Sequence, residues 1–145
     1  MLEERKILVD TNILIYFFDK KDEYKNEQSK KILKTIFEAG IGVISIQNLA
    51  EFSSNAYRKK FIDSSKLNTI ILDFMDVLKV VRYDEDEILR ANTISQQYGI
   101  HFFDALIVAM MQKEKITRIL TENEADFKKI DWIEPVNPFT HKEKD

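Results

Sequence analysis

The spacing of apolar positions changes character several times along the chain. Lys6 to Val9 is an apolar, β-branched run too short for a helix, whereas Ile13 to Phe18 is apolar on every side, as in a core helix. Glu27 to Phe37 places Ile32, Leu33, Ile36 and Phe37 between lysines, an amphipathic helix that stops before Gly40. Gly42 to Ser45 predicts a second strand. Asn48 to Phe61 then predicts a helix with Leu49, Phe52 and Ala56 on one face and a polar stripe of Asn48, Glu51, Asn55 and Arg58. Ser65 to Met75 gives a further helix and Leu78 to Tyr83 a third strand. Asp84 and Glu87 form a capping-box pattern opening a helix that runs to Tyr98 and is ended by Gly99. Ala105 to Lys113 is a helix apolar enough to be central, Arg118 to Thr121 a fourth strand, and Asn123 to Lys129 a brief helix. Trp132 to Val136 is a last strand closed by Pro138, and His141 to Asp145 reads as a frayed tail.

Strands alternating with helices predict a three-layer α/β/α fold with a mostly parallel central sheet of four or five strands and right-handed crossovers. At 145 residues the chain is expected to form a single domain over 1–145. With three glycines and two prolines, regular structure should dominate. The absence of cysteine removes disulfides and thiolate metal sites, and no signal-like segment is present, so a cytoplasmic protein is expected. Neither Ile13 to Phe18 nor Ala105 to Met111 approaches the ~20 apolar residues that span a bilayer, so no membrane partner is expected. The net charge of −3, from 25 acids and 22 bases, argues against a nonspecific nucleic-acid coat. It is compatible with an enzyme whose carboxylates hold divalent cations, because bound ions reverse the local charge.

Acids recur where strands give way to helices: Asp10 after the first strand, Glu51 shortly after the second, Asp104 opening the apolar helix, and Glu122 after the fourth strand. In a doubly wound sheet these junctions face the edge where ligands bind. Each acid also has an ordinary structural reading: Asp10 and Asp104 as helix caps, Glu51 as the partner of Asn48 in a capping box, Glu122 as a solvated turn residue. Thr121 and Glu124 make a capping-box pattern of their own, which leaves Glu124 structural. Crowded carboxylates repel, and burying them unpaired costs several kcal/mol each, so they are either dispersed or joined by a cation. Oxygen donors without a histidine or thiolate cluster point to Mg²⁺ or Mn²⁺ rather than zinc.

Other chemistries fit less well. His101 has no serine or cysteine nucleophile motif beside it. Gly40 and Gly42 make no phosphate-binding loop. A phosphatase with Asp10 as nucleophile would want a second aspartate two residues on, where Asn12 stands.

Four pieces in order, Leu8-Val9-Asp10-Thr11-Asn12, Ser45-x-x-Asn48-Leu49-x-Glu51-Phe52, Phe103-Asp104-Ala105-Leu106-Ile107 and Leu120-Thr121-Glu122-Asn123-x-x-Asp126-Phe127, make the chain resemble the PIN-domain ribonucleases. The likeness is strongest to the compact VapC toxins of prokaryotic toxin–antitoxin pairs. The resemblance implies a metal-dependent endoribonuclease acting by two-metal hydrolysis of an RNA phosphodiester. Asp10, Glu51 and Asp104 would be the core metal-binding acids, with Thr11 or Asn12 and Thr121 supporting by hydrogen bonds. The family often carries an aspartate where Asn123 stands, which leaves either Glu122 or Asp126 to supply the fourth charge, Glu122 ranking first, or a second metal that binds weakly. Arg58, Lys59 and Lys60 are the best basic cluster for RNA phosphates, although bases at a helix C-terminus also complement its dipole. The resemblance further implies a homodimer and a small antitoxin protein docking near the first helix. Two alternatives stay open: a PIN-fold nuclease of RNA processing without an antitoxin, and a catalytically weak binding module, which the residue at Asn123 favours.

Overall fold

The computed structural model describes residues 5–140, so the expected tail from His141 to Asp145 lies outside the described residues. Five strands, β1 (Ile7–Val9), β2 (Gly42–Ser45), β3 (Lys79–Val81), β4 (Arg118–Leu120) and β5 (Glu134–Val136), form one sheet in the order β3-β2-β1-β4-β5. Every pair is parallel: Leu8 faces Val43 and Ile119, Ile44 faces Val80, and Ile119 faces Pro135. Proline lacks a ladder donor, and Pro135 sits on an edge strand, where that lack is tolerated.

Helices cover both faces, and the period-two alternation of the strands decides which residue meets which layer. Leu8, Val43 and Ile119 pack with α5 (Glu85–Tyr98) and α6 (Phe102–Glu114). Ile7, Val9, Ile44 and Leu120 pack with α1 (Thr11–Phe18), α2 (Glu23–Ala39), α3 (Ile46–Lys59) and α4 (Leu67–Val77). The last helix, α7 (Glu124–Phe127), is a single turn that plants Phe127 in the first of these layers. In α6 every residue from Ala105 to Met111 is buried, as its unbroken apolar run requires.

The elements lie where the sequence pattern puts them, with boundary shifts that have local causes. Ser45 ends β2 and also caps α3: its Oγ accepts from the Asn48 N–H at 3.0 Å, while Asn48 Oδ1 accepts from the Ser45 N–H at 3.1 Å. The helix therefore starts at Ile46 rather than at Asn48, and Glu51 is free of any capping role. Asp84 and Glu87 do form their expected box. The segment read as one helix from Ser65 is a 3-10 turn over Ser64–Lys66 that runs into α4. Gly40 and Gly99 close α2 and α5 in the left-handed region, with φ of 69° and 66°.

Candidate active site

The chain runs from β1 outward through β2 to β3 and then returns to the other side of β1 as β4, so the winding direction reverses between β1 and β4. At such a reversal the loops leaving the two strands diverge and open a crevice at their carboxyl ends. Asp10 leaves β1 there and Thr121 leaves β4 beside it. A pocket of about 270 Å³ opens at this point, bordered by Asp10, Glu51 and Asp104 together with Asn12, Gln47 and Asn123. Three expected acids from three separate elements thus share one cavity.

Asp10 is fixed on all sides. Its N–H donates to the Leu120 carbonyl at 2.9 Å, extending the β1–β4 ladder by one bond. Its Oδ1 accepts from the Thr11 N–H at 2.8 Å, so the carboxylate does cap α1, and its Oδ2 accepts from Thr121 Oγ1 at 2.8 Å. Burial pushes this carboxyl above the usual range, the hydrogen bonds from Thr121 and Thr11 pull it back, and the charges of Glu51 and Glu122 push it further up.

Glu51 lies one helical turn beyond Gln47 on α3. Its Oε1 accepts from Thr11 Oγ1 at 2.7 Å and its Oε2 from Gln47 Nε2 at 3.3 Å. Thr11 Oγ1 in turn accepts from Asn48 Nδ2 at 2.9 Å, which completes a buried relay from Ser45 through Asn48 and Thr11 to Glu51. Gln47 also donates to the Phe103 carbonyl at 3.4 Å and so reaches toward the start of α6.

Asp104 is the third residue of α6, not its cap; the cap position belongs to His101. Its carboxyl is raised to about 6, first by burial and then by the charges of Asp10, Asp126 and Glu51, with His101 acting in the opposite sense. Among the described residues a single neutral donor reaches it: Asn123 Nδ2 lies 3.1 Å from Asp104 Oδ2 and 3.2 Å from Asp126 Oδ2. Only the NH₂ side of the amide is compatible with two carboxylate neighbours, so the orientation of Asn123 follows from its surroundings. The Asn123 N–H donates to Thr121 Oγ1 at 3.0 Å, so Thr121 supports the turn as well as Asp10. The expected box between Thr121 and Glu124 does not form, because this hydroxyl is already engaged.

Glu122 departs from its expected place. Alternate residues of an extended segment point to opposite sides, so with Thr121 and Asn123 aimed at the acids, Glu122 faces away from them. Its Oε1 accepts from the Tyr16 hydroxyl and its Oε2 from Lys25 Nζ, both at 2.7 Å, and it does not border the pocket. The residue of this turn that borders the pocket is Asn123, with Asp126 behind it at 3.2 Å; Asp126 pairs on its outer side with Lys129 at 3.6 Å.

The basic cluster divides. Arg58 reaches back to Asn55 Oδ1 at 2.6 Å, and Asn55 borders the pocket, so Arg58 lies on its rim. Lys60 is the left-handed residue that closes α3, with φ of 57°, and borders a different depression with Tyr57 and Asp63; Lys59 is exposed in the last turn.

The donor set suits a hard cation: it is made of oxygens, and the Gln47 Oε1 at the pocket is buried without a donor. Among the described residues, no three histidine or acidic side chains stand grouped at ligand spacing, so the acids surround the cavity rather than converging on one point. That disposition matches an ion held partly through its own water shell, as Mg²⁺ commonly is.

Gln47 was missed from the sequence, although its spacing of four from Glu51 was a usable signal. The pocket-facing stripe of α3 is Gln47, Glu51 and Asn55, while Asn48 lies buried beneath it. Tyr16 and Lys25 gave no signal, since their partner is about a hundred residues away in the chain.

No curated protein sequence matches the chain. Among solved structures, a toxin–antitoxin complex from Klebsiella pneumoniae contains a chain 22% identical, with a TM-score of 0.67 over 92% of this chain and 98% of that one. The DNA-bound VapBC of Salmonella typhimurium is similar at 21% identity and a TM-score of 0.66, covering 93% and 99% of the two chains. VapC20 of Mycobacterium tuberculosis, a Sarcin-Ricin loop cleaving toxin, is similar at 17% identity and 0.64, covering 79% and 87%. At these identities the likeness is one of fold. The family model of the PIN domain, however, matches residues 7–133, from the first residue of β1 to the threshold of β5, and with it the chain is established as a member of the PIN-domain family.

Proposed function

We propose that this chain is a Mg²⁺- or Mn²⁺-dependent endoribonuclease and the toxin of a toxin–antitoxin pair. The observation that carries the reading is the meeting of Asp10, Glu51 and Asp104 around one pocket at the reversal point of the sheet. Burial, and then the charges of its acidic neighbours, raise Asp104 to about 6, and a cation bound there would relieve it. In this reading Asp10 and Asp104 hold the metal, Glu51 orients the attacking water, and Gln47 and Thr11 fix the Glu51 carboxylate. Bound Mg²⁺ or Mn²⁺ supplies Lewis acidity and lowers the pKa of its water. Water adds to phosphorus, the bond to the 3′ oxygen breaks, and a 5′-phosphate and a 3′-hydroxyl remain. Arg58 on the rim supplies a phosphate contact. A small antitoxin protein, a homodimer and a cytoplasmic location complete the proposal, supported by the fold shared with the Klebsiella toxin–antitoxin complex. Among the described residues no helix is long and apolar enough to cross a membrane.

The test is incubation of the pure protein with structured RNAs and Mg²⁺ or Mn²⁺ beside Asp10→Asn and Asp104→Asn variants. Cleavage by the wild type and a loss of at least a hundredfold in both variants is expected. Equal cleavage by all three would mean a contaminating nuclease and would remove the proposal. One observation favours a second reading, a binding module with weakened chemistry: Asn123 brings an amide where the family often has a carboxylate. Metal-dependent RNA binding without cleavage would select it.

A further inference from the structure

Lys25 lies outside the pocket, yet its ammonium is held by several partners at once. Its ammonium donates to Glu122 Oε2 at 2.7 Å and lies 3.4 Å from the Tyr16 hydroxyl. It also stands 5.0 Å from the centre of the Tyr16 ring and 5.4 Å from that of Phe139, and these two rings meet edge to face at 5.4 Å. Four separated parts of the chain converge here: α1 through Tyr16, α2 through Lys25, the turn after β4 through Glu122, and the segment after β5 through Phe139.

Glu122 is the middle residue of that turn, and its two neighbours are the donors that hold the acids. Thr121 Oγ1 serves Asp10, and Asn123 Nδ2 serves Asp104 and Asp126. A turn whose middle side chain is anchored on one side keeps its flanking side chains aimed at the other. We propose that Lys25, acting through Glu122 and Tyr16, is a positioning residue for the active site: it clamps the Thr121–Asn123 turn so that its donors stay on Asp10 and Asp104. Glu122 is on this account the outer anchor of the site. The ion pair is about one quarter exposed on each side chain, enough protection for a fixed geometry to persist. The inference rests on the metal-site reading for its effect on metal affinity, but not for its effect on the turn itself.

The test uses the full chain with Lys25→Met, Glu122→Gln and the double variant, and Lys30→Met on the exposed side of the same helix as a control. Two quantities are read. The first is hydrogen exchange of the Asn123 amide, which donates to Thr121 Oγ1, in metal-free protein. The second is Mn²⁺ affinity by titration without RNA. Lys25→Met is expected to speed Asn123 exchange about tenfold while the amides of β1 and β4 keep their rates. It should also weaken Mn²⁺ binding about tenfold, as loss of a supporting partner does at metal sites. The double variant should be no worse than the worse single one, because both break the same link. Unchanged Asn123 exchange in Lys25→Met overturns the clamp, as does a change matched across the central strands, or full additivity of the two substitutions. If the wild type binds no Mn²⁺, the metal reading fails, and the exchange experiment still decides the clamp.

Discussion

Asp104, like Asp10, is a carboxyl held above its ordinary range by burial and acidic neighbours. An acid raised to about 6 holds its proton more tightly in the folded than in the unfolded chain, whose aspartates titrate near 3.8. The contribution of Asp104 to the stability of the metal-free protein therefore falls as pH rises from about 4 to about 6, the reverse of the usual aspartate, whose stabilising effect grows with pH. Asp104→Asn removes this slope. With a chelator present, urea denaturation at pH 7.5 should show the variant more stable by about 1 kcal/mol, a figure already reduced for the partial exposure of the side chain. The gain should shrink toward zero at pH 4. A variant less stable than the wild type at pH 7.5 would show that Asp104 is comfortably paired. Residues were legible in the sequence in proportion to how local their cause is. Asp10 and Asp104 announce themselves because a strand ends or an apolar helix begins beside each, and Glu51 because it lies on a polar stripe of the helix that follows β2. Glu122 misleads because the same signal ignores a partner that folding brings from α2, and no local pattern separates an acid facing a pocket from one facing a lysine.

Among the elements, α1 and α3 are joined by more than apolar contact. The Thr11 hydroxyl accepts from Asn48 and donates to Glu51, so one side chain of α1 ties down the first two turns of α3. Thr11→Val keeps the shape and removes both bonds, leaving the fully buried Asn48 amide without an acceptor. The expected cost is about 1–3 kcal/mol in urea unfolding, with Thr11→Ser recovering most of it. A loss under 0.5 kcal/mol would mean that Asn48 finds another partner. The pattern that predicted these elements succeeded because β1 and β4 are buried on both faces and α6 on all sides, which leaves continuous apolar runs in the sequence. It failed at boundaries where one residue does two jobs. Ser45 is the last residue of β2 and the cap of α3, and a polar residue ending an apolar run signals only that the strand is over.

For the molecule as a whole, several like charges gathered at the top of the central strands oppose folding of the metal-free chain, and a cation bound there would offset them. Anything that binds the folded state alone raises its stability in proportion to the logarithm of its concentration. Addition of Mn²⁺ to the chelated protein should raise the melting temperature by several degrees at about 100 times the dissociation constant. Asp10→Asn should abolish most of the rise, whereas Ca²⁺ or Na⁺ at equal ionic strength separates specific binding from screening. A rise of equal size with Na⁺ would reduce the site to a diffuse acidic surface. The layered α/β architecture was readable beforehand, since alternating strands and helices leave few ways to cover a parallel sheet, whereas the strand order and the all-parallel pairing of five strands came from the structure.

Asp10 also makes the rung that follows the last paired residues of β1, the central strand of the sheet, and its neighbour β4. Its amide cannot reach solvent by the fraying of an edge or the swinging of a surface segment; the middle of the molecule has to come apart first. Asp10 is thus mounted on the central strands rather than on a surface loop, and partial unfolding that frees only peripheral helices would leave its carboxylate standing in its place.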